Sequence, residues 1–145
     1  MDVQTDFLII GSGIAGLMMA LTVADCGTVA LVTKKQAVDS NTNLAQGGIA
    51  SVFDPQDSFD LHIQDTLDAG DGLCNLDVVH QVVAGGPERI RELMAVGVCF
   101  NTEDGGAGKN RSASFDLGRE GGHSFNRIVH AHDMTGREVE RVLLE

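Results

Sequence analysis

Gly11-Ser12-Gly13-Ile14-Ala15-Gly16 stands between a short apolar run and a longer apolar segment, and no other feature constrains the fold as strongly. Asp6-Phe7-Leu8-Ile9-Ile10 shows no polar alternation, which predicts a parallel strand covered on both faces. Ile14 through Cys26 reads as a helix, with Leu17, Leu21 and Ala24 on one apolar face and Gly27 as its C′ residue. Thr28-Val29-Ala30-Leu31-Val32-Thr33 follows as a second buried strand. Strand, glycine turn, helix and strand within about 30 residues make a βαβ unit with a right-handed crossover. In such a turn the first glycine permits the tight bend, the second leaves room for a pyrophosphate, and the third lets helix and strand pack closely. The phosphate rests on unpaired N–H groups at the positive end of the helix dipole. The motif in this context reads as a dinucleotide-binding turn; its alternative is a glycine-rich turn with a purely structural role.

The turn leaves the cofactor open. An acidic residue that grips a ribose hydroxyl belongs near Thr33, where Thr33-Lys34-Lys35 stands instead. That counts against a plain NAD site, whereas a lysine suits an NADP phosphate.

Downstream, periodicity disappears from Lys34 to Ser51. Asp57 or Ser58 caps an expected helix to about Asp68, ended by Gly70 and Gly72. Leu76–Ala84 and Pro87–Val96 read as helical, with Gly85-Gly86 either separating two pieces or kinking one long helix. Val98-Cys99-Phe100 and Arg127 to Ala131 are expected short strands, and Asn101 to Arg111 a mobile glycine-rich loop. Thr135-Gly136-Arg137-Glu138 opens an amphipathic helix with Val139, Val142 and Leu143 on one side. That helix runs to Glu145 without a cap, so the chain is expected to be the front piece of something longer.

Composition narrows the function classes. With 43% hydrophobic residues in 145, a packed core is expected, at a length that suits one domain. A formal net charge of -11 argues against a nucleic-acid or anionic membrane partner, since both reward positive charge. No apolar run reaches the roughly 18 residues of a membrane span, and the start has no basic n-region of a secretory signal. Cys26, Cys74 and Cys99 are odd in number and far apart, which matches neither a disulfide framework nor a zinc pattern and points to the cytoplasm.

Other chemistries find little support. His130 and His132 form an H-x-H with no third ligand in view. Asp57, Asp60, Asp65, Asp68 and Asp71 lack calcium-loop spacing and read as a solvated helix face. Arg119 and Arg127 either balance carboxylates or, by default, form surface ion pairs, and His123 either lines a cleft or bonds to backbone. Ser112, Ser114 and Ser124 have no nucleophile-elbow context.

Asn41-Thr42-Asn43-Leu44-Ala45-Gln46-Gly47-Gly48-Ile49-Ala50 resembles the segment after the second strand in the succinate dehydrogenase/fumarate reductase flavoprotein superfamily. Within it, Arg119-Glu120-Gly121-Gly122-His123-Ser124, Arg127-Ile128-Val129-His130-Ala131 and Asp133-Met134-Thr135-Gly136-Arg137-Glu138 resemble the L-aspartate oxidase family, as does the stretch from Asp54 to Gly72. The resemblance covers the whole chain. It implies an α/β, Rossmann-like FAD-binding domain with a mainly parallel sheet, residues 1–145 being its amino-terminal part, without the capping and C-terminal helical domains. The implied reaction is oxidation of L-aspartate to iminosuccinate, with oxygen or fumarate as acceptor. It is the first step of de novo NAD synthesis, with hand-off to quinolinate synthase.

The family pattern places Gly11, Ser12, Gly13, Ile14, Ala15 and Gly16 at the FAD pyrophosphate, Lys34 by the adenosine end, and Asn41, Thr42, Asn43, Leu44, Ala45, Gln46, Gly47 and Gly48 around the flavin side. In succinate-oxidising relatives the position of Asn41 is a His that carries FAD covalently. An amide is no nucleophile at neutral pH, so noncovalent FAD is expected. Those relatives have a neutral Gln near Glu120; a carboxylate there is expected to orient the substrate ammonium through a charge-assisted hydrogen bond of about 1.5–3 kcal/mol. The proton acceptor of the family is an Arg of the capping domain, and no residue here matches it. Two alternatives stand beside this reading: a soluble fumarate reductase or succinate dehydrogenase-type flavoprotein, and a non-catalytic nucleotide-binding module.

Overall fold

The computed structural model describes residues 2–105, 107–108 and 114–145. Strand β1 (Phe7–Ile10) leads through the glycine turn into helix α1 (Ile14–Val23), and a 3-10 turn at Ala24–Cys26 precedes β2 (Val29–Val32). β1 and β2 pair in parallel, Phe7 opposite Val29 and Ile10 opposite Val32, as expected of the βαβ unit. α1 lies on one face of this pair only. Leu8 and Ile10 on the other face are 61% and 82% exposed, so the expected cover on both faces is not supplied by the described residues. On α1 the inward residues are Leu17 and Val23, while Leu21 and Ala24 are exposed, contrary to the expected stripe.

Gly27 also departs from expectation. Its φ of 163° is extended rather than left-handed. The Asp6 carboxylate explains the glycine: it accepts from the Thr28 amide at 2.8 Å, and a Cβ on Gly27 would lie 2.7 Å from the same oxygen.

The segment expected to be irregular contains one helical turn, α2 (Asn41–Leu44), whose Asn43 amide is capped by Ser40 Oγ at 3.1 Å. Strand β3 (Ile49–Ala50) follows. α3 (Phe59–Ala69) starts at the expected cap, Ser58, which accepts from the Leu61 amide. α4 (Leu76–Val96) is one continuous helix through Gly85, Gly86 and Pro87, capped by Asn75 and closed at Gly97. Val79, Val83, Pro87, Ile90 and Met94 recur every three or four residues and form its buried face.

Beyond α4 the pairings are antiparallel. β4 (Phe100–Asn101) pairs with β5 (Ala107–Gly108) inside the stretch expected to be a loop; residues 106 and 109–111 of that stretch, and Ser112, lie outside the described residues. β6 (Leu117–Gly118) and β3 flank β7 (Ile128–Val129), and the amphipathic helix α5 (Thr135–Leu144) closes the chain. The larger of two buried clusters joins Leu17 of α1, Ile90, Leu93 and Met94 of α4, Val98, Phe100, Val129 and Ala131, and Val139 and Leu143 of α5; the smaller packs Ile63 of α3 with Val79 and Val83 of α4. The α/β class stands, with antiparallel pairings beside the parallel pair.

Candidate functional site

The glycine turn is built as its spacing requires. Gly11 has φ +109°, which an L side chain rarely adopts. A Cβ on Gly16 would run into the Gly11 carbonyl, so helix and strand meet backbone to backbone. The first intrahelical bond is Leu17 N to Gly13 O at 3.0 Å, so the amides before it depend on outside partners. Thr42 Oγ1 takes the Ile14 amide at 3.0 Å. The Ile14 amide, expected at the pyrophosphate, is thus already taken within the chain.

Strand ends and loop form a cleft of about 600 Å³ lined by Ile10–Gly13, Val32–Lys34 and Asp39–Thr42. Lys34 and Asn41 also face an adjoining cleft of about 330 Å³ that continues past Asn43 and Leu44. The rest of the segment is held from behind by α5. Gly136 N donates to Ala45 O at 3.0 Å, and Thr135 Oγ1 donates to Gly47 O at 2.6 Å while accepting from Ala131 N. Thr135 and Gly136 were legible in the sequence only as a helix start.

Glu140 of the same helix is 1% exposed, and neither carboxylate oxygen has a hydrogen bond of good geometry. Burial pushes its pKa above the usual carboxylate value, opposed only by the Ser40 hydroxyl.

A second cleft of about 340 Å³ opens beyond Gly47, lined by Gln46, Gly118, Arg119, Glu120, Ile128, His130, His132 and Asp133. Glu120 stands over Gly47 so closely that a side chain there would strike its Oε1. Among the described residues no cation pairs with its carboxylate. The expected H-x-H does not act as a pair: β7 ends before His130, whose Nε2 lies 3.7 Å from Asp116, while His132 adopts φ +48° outside the strand.

The acidic run is not the solvated face expected. Asp60, Asp68 and Asp71 are exposed, but Asp57 and Asp65 turn inward to Arg127, whose side chain is 0% exposed. Arg127 Nε and Nη2 reach the two Asp57 oxygens at 2.9 and 2.7 Å, and Nη1 reaches Asp65 Oδ2 at 2.7 Å. The same Asp65 oxygen accepts from the Ser124 amide and hydroxyl at 2.7 and 2.8 Å. Burial alone would raise the pKa of Asp65, but these bonds from Ser124 and Arg127 hold its carboxyl below the usual range. His123 Nδ1 lies 3.4 Å from Arg127 Nη1, and its ring meets buried His62 edge-on at 5.6 Å. Burial first, and then the charges of Arg127 and His123, lower the His62 pKa; Asp57 and Asp65 oppose them. Arg127 thus balances carboxylates, one of its two expected roles, but in the interior and not as the surface ion pair taken as the default.

The FAD binding domain family matches residues 6–145. The chain belongs to that family. As an FAD-binding domain it is 56% identical to L-aspartate oxidase 2-a, chloroplastic, of Nicotiana tabacum, over 97% of this chain and 21% of the relative. It is 44% identical to the L-aspartate oxidase of Yersinia pestis, over 97% of this chain and 26% of that one. The fold matches an E. coli quinol fumarate reductase FrdA variant with a TM-score of 0.83 and 32% identity, covering 98% of this chain and 24% of that one. The chain thus spans about a fifth to a quarter of the length of these relatives.

FAD is the cofactor of this domain, and the residues present fit it. Gly11 holds a backbone that side chains rarely adopt, Gly16 has no space for one, the first helical turn offers amides to a diphosphate, and Lys34 adds positive charge at the cleft. No helix among the described residues is long and apolar enough to cross a membrane.

Proposed function

We propose that the chain is the amino-terminal, cofactor-holding part of an FAD-dependent L-aspartate oxidase, which converts L-aspartate to iminosuccinate with oxygen or fumarate as acceptor. The observation that carries the reading is the exposed Glu120 carboxylate over Gly47, unpaired among the described residues and at the end of the segment that the family pattern assigns to the flavin. Succinate and aspartate differ by one ammonium group, and a carboxylate is the group that distinguishes them. The relatives named L-aspartate oxidase support the same substrate. FAD, when bound, supplies the two-electron acceptor. The amides of Ser12, Gly13 and Ala15 hold its diphosphate, Lys34 lies toward the adenosine end, and the 41–48 segment encloses the flavin side. Asn41 offers no nucleophile, so FAD is held without a covalent bond. No residue of this chain is assigned as the catalytic base. The product passes to quinolinate synthase as the first intermediate of de novo NAD synthesis.

Three free cysteines favour a reducing compartment, and the cytoplasm is the proposed location; plant relatives carry "chloroplastic" in their names.

A fumarate reductase is the second reading, favoured by the likeness to the E. coli enzyme and opposed by Asn41 and Glu120. The test uses the complete gene product with FAD. Anaerobic L-aspartate is expected to bleach the flavin band near about 450 nm, and acid precipitation is expected to leave the yellow colour in solution. Bleaching absent with aspartate, while reduced enzyme is reoxidised by fumarate, would favour the second reading. Colour carried down with the protein would overturn noncovalent binding.

A further inference from the structure

Glu120 owes its place to a loop that carries little packing of its own. The loop from Arg119 to Asn126 closes on itself through Arg119 Nε to His123 O at 2.8 Å and His123 N to Glu120 O at 3.3 Å. Its base is tied by Arg127 N to Gly118 O at 3.1 Å. Beside the edge-on contact of His123 with His62, its hydrogen bonds to α3 converge on one atom, Oδ2 of Asp65, which accepts from Ser124 N, Ser124 Oγ and Arg127 Nη1. Asp65 in turn sits in the middle of an eleven-residue helix packed against α4. A rigid element therefore holds the loop by hydrogen bonds to a single carboxylate, with one ring contact beside it.

We propose that Asp65 is a positioning residue for Glu120: by clamping Ser124 and Arg127 to α3 it sets the Glu120 carboxylate over Gly47, and so sharpens the preference for a dicarboxylate bearing an ammonium group over one without it. The proposal rests on the aspartate-oxidase reading. Asp65 touches neither substrate nor cofactor and acts through Glu120. A charge-assisted hydrogen bond is directional, so a shift of about 1 Å at its acceptor weakens it strongly, and misplacements of that size cost up to about a hundredfold in rate. Fumarate has no ammonium and does not use this bond.

Two variants separate the clamp from the fold. Asp65→Asn keeps the shape and an oxygen for the three donors but removes the negative charge that strengthens those bonds, while Arg127 retains both bonds to Asp57. Ser124→Ala removes one donor and no charge. Both are made in the complete gene product loaded with FAD, alone and combined with Glu120→Gln, and L-aspartate oxidation is compared with fumarate reduction.

Asp65→Asn is expected to lower kcat/KM for L-aspartate relative to fumarate by about tenfold, chiefly through KM. Ser124→Ala is expected to act in the same direction to a smaller extent. In the Glu120→Gln background, Asp65→Asn should leave the aspartate-to-fumarate ratio where Glu120→Gln alone puts it. Equal losses for aspartate and fumarate in both variants, or a full additional effect on top of Glu120→Gln, would overturn the positioning role alone. A wild-type enzyme that ignores L-aspartate would overturn the functional reading and this proposal with it.

Discussion

His62 is buried on a helix whose aspartates read as a solvated face. It lies on the same helix as the acidic run, is 6% exposed, and leaves Nδ1 without a partner among the described residues. Its pKa is lowered below the ordinary value of about 6.5. The folded protein thus resists a proton that the unfolded chain accepts. The stability this contributes is full above the unfolded value and is lost as pH falls from there toward the lower folded value. His62→Phe keeps a ring and removes the titration. Its melting temperature is expected to fall less between about pH 7 and 5.5 than that of the parent. Equal slopes in the two proteins would show that His62 is not the responsible group. Nothing in the periodicity of α3 announced this, because its burial comes from a loop and an arginine more than sixty residues later in the chain. By contrast, Gly11 and Gly16 were legible as residues. Their roles depend on local backbone geometry, which the hexapeptide and its flanking runs already contain.

At the scale of elements, α4 is the informative case. Gly85-Gly86-Pro87 offers every local reason to stop a helix: glycine entropy, a missing N–H, and a ring that crowds the preceding turn. The helix continues because Val79, Val83, Pro87, Ile90 and Met94 bury one face against the rest of the chain. Burial of that face outweighs an interruption costing about 3 kcal/mol. The two glycines then differ in what they tolerate. A Cβ on Gly85 meets nothing within 4 Å, while one on Gly86 would lie 2.9 Å from Ser51 Oγ, a buried hydroxyl with no partner among the described residues. Gly85→Ala is expected to stabilise by about 0.5–1 kcal/mol, and Gly86→Ala to destabilise, in urea unfolding midpoints. Loss of stability in Gly85→Ala would mean that the helix needs flexibility there. Sequence reasoning left break and kink both open at this point, since propensity cannot weigh a tertiary contact it does not contain.

Across the whole molecule, Arg127 ties α3 to the β6–β7 side through Asp57 and Asp65. A guanidinium fully withdrawn from water is costly unless paired, and here two carboxylates satisfy it. Arg127→Leu is expected to destabilise by about 3–5 kcal/mol, because Asp57 is left buried without its cation. Adding Asp57→Asn to Arg127→Leu should recover part of that loss, a coupling measurable by denaturant unfolding. Strict additivity of the two changes would mean that the pair contributes no specific interaction.

The sequence alone determined the βαβ start, the glycine turn, the amphipathic closing helix and the motif order that identifies an FAD-binding domain. These are short-range properties of periodicity and backbone conformation, carried in windows of a few to thirty residues. Only the tertiary structure decided that Thr42 takes the Ile14 amide, that Thr135 and Gly136 brace the segment around Gly47, and that Asp57 and Asp65 face a buried arginine. Each of those contacts joins residues distant in the chain. Their energies depend on which groups lose water together, and that is settled when the elements pack.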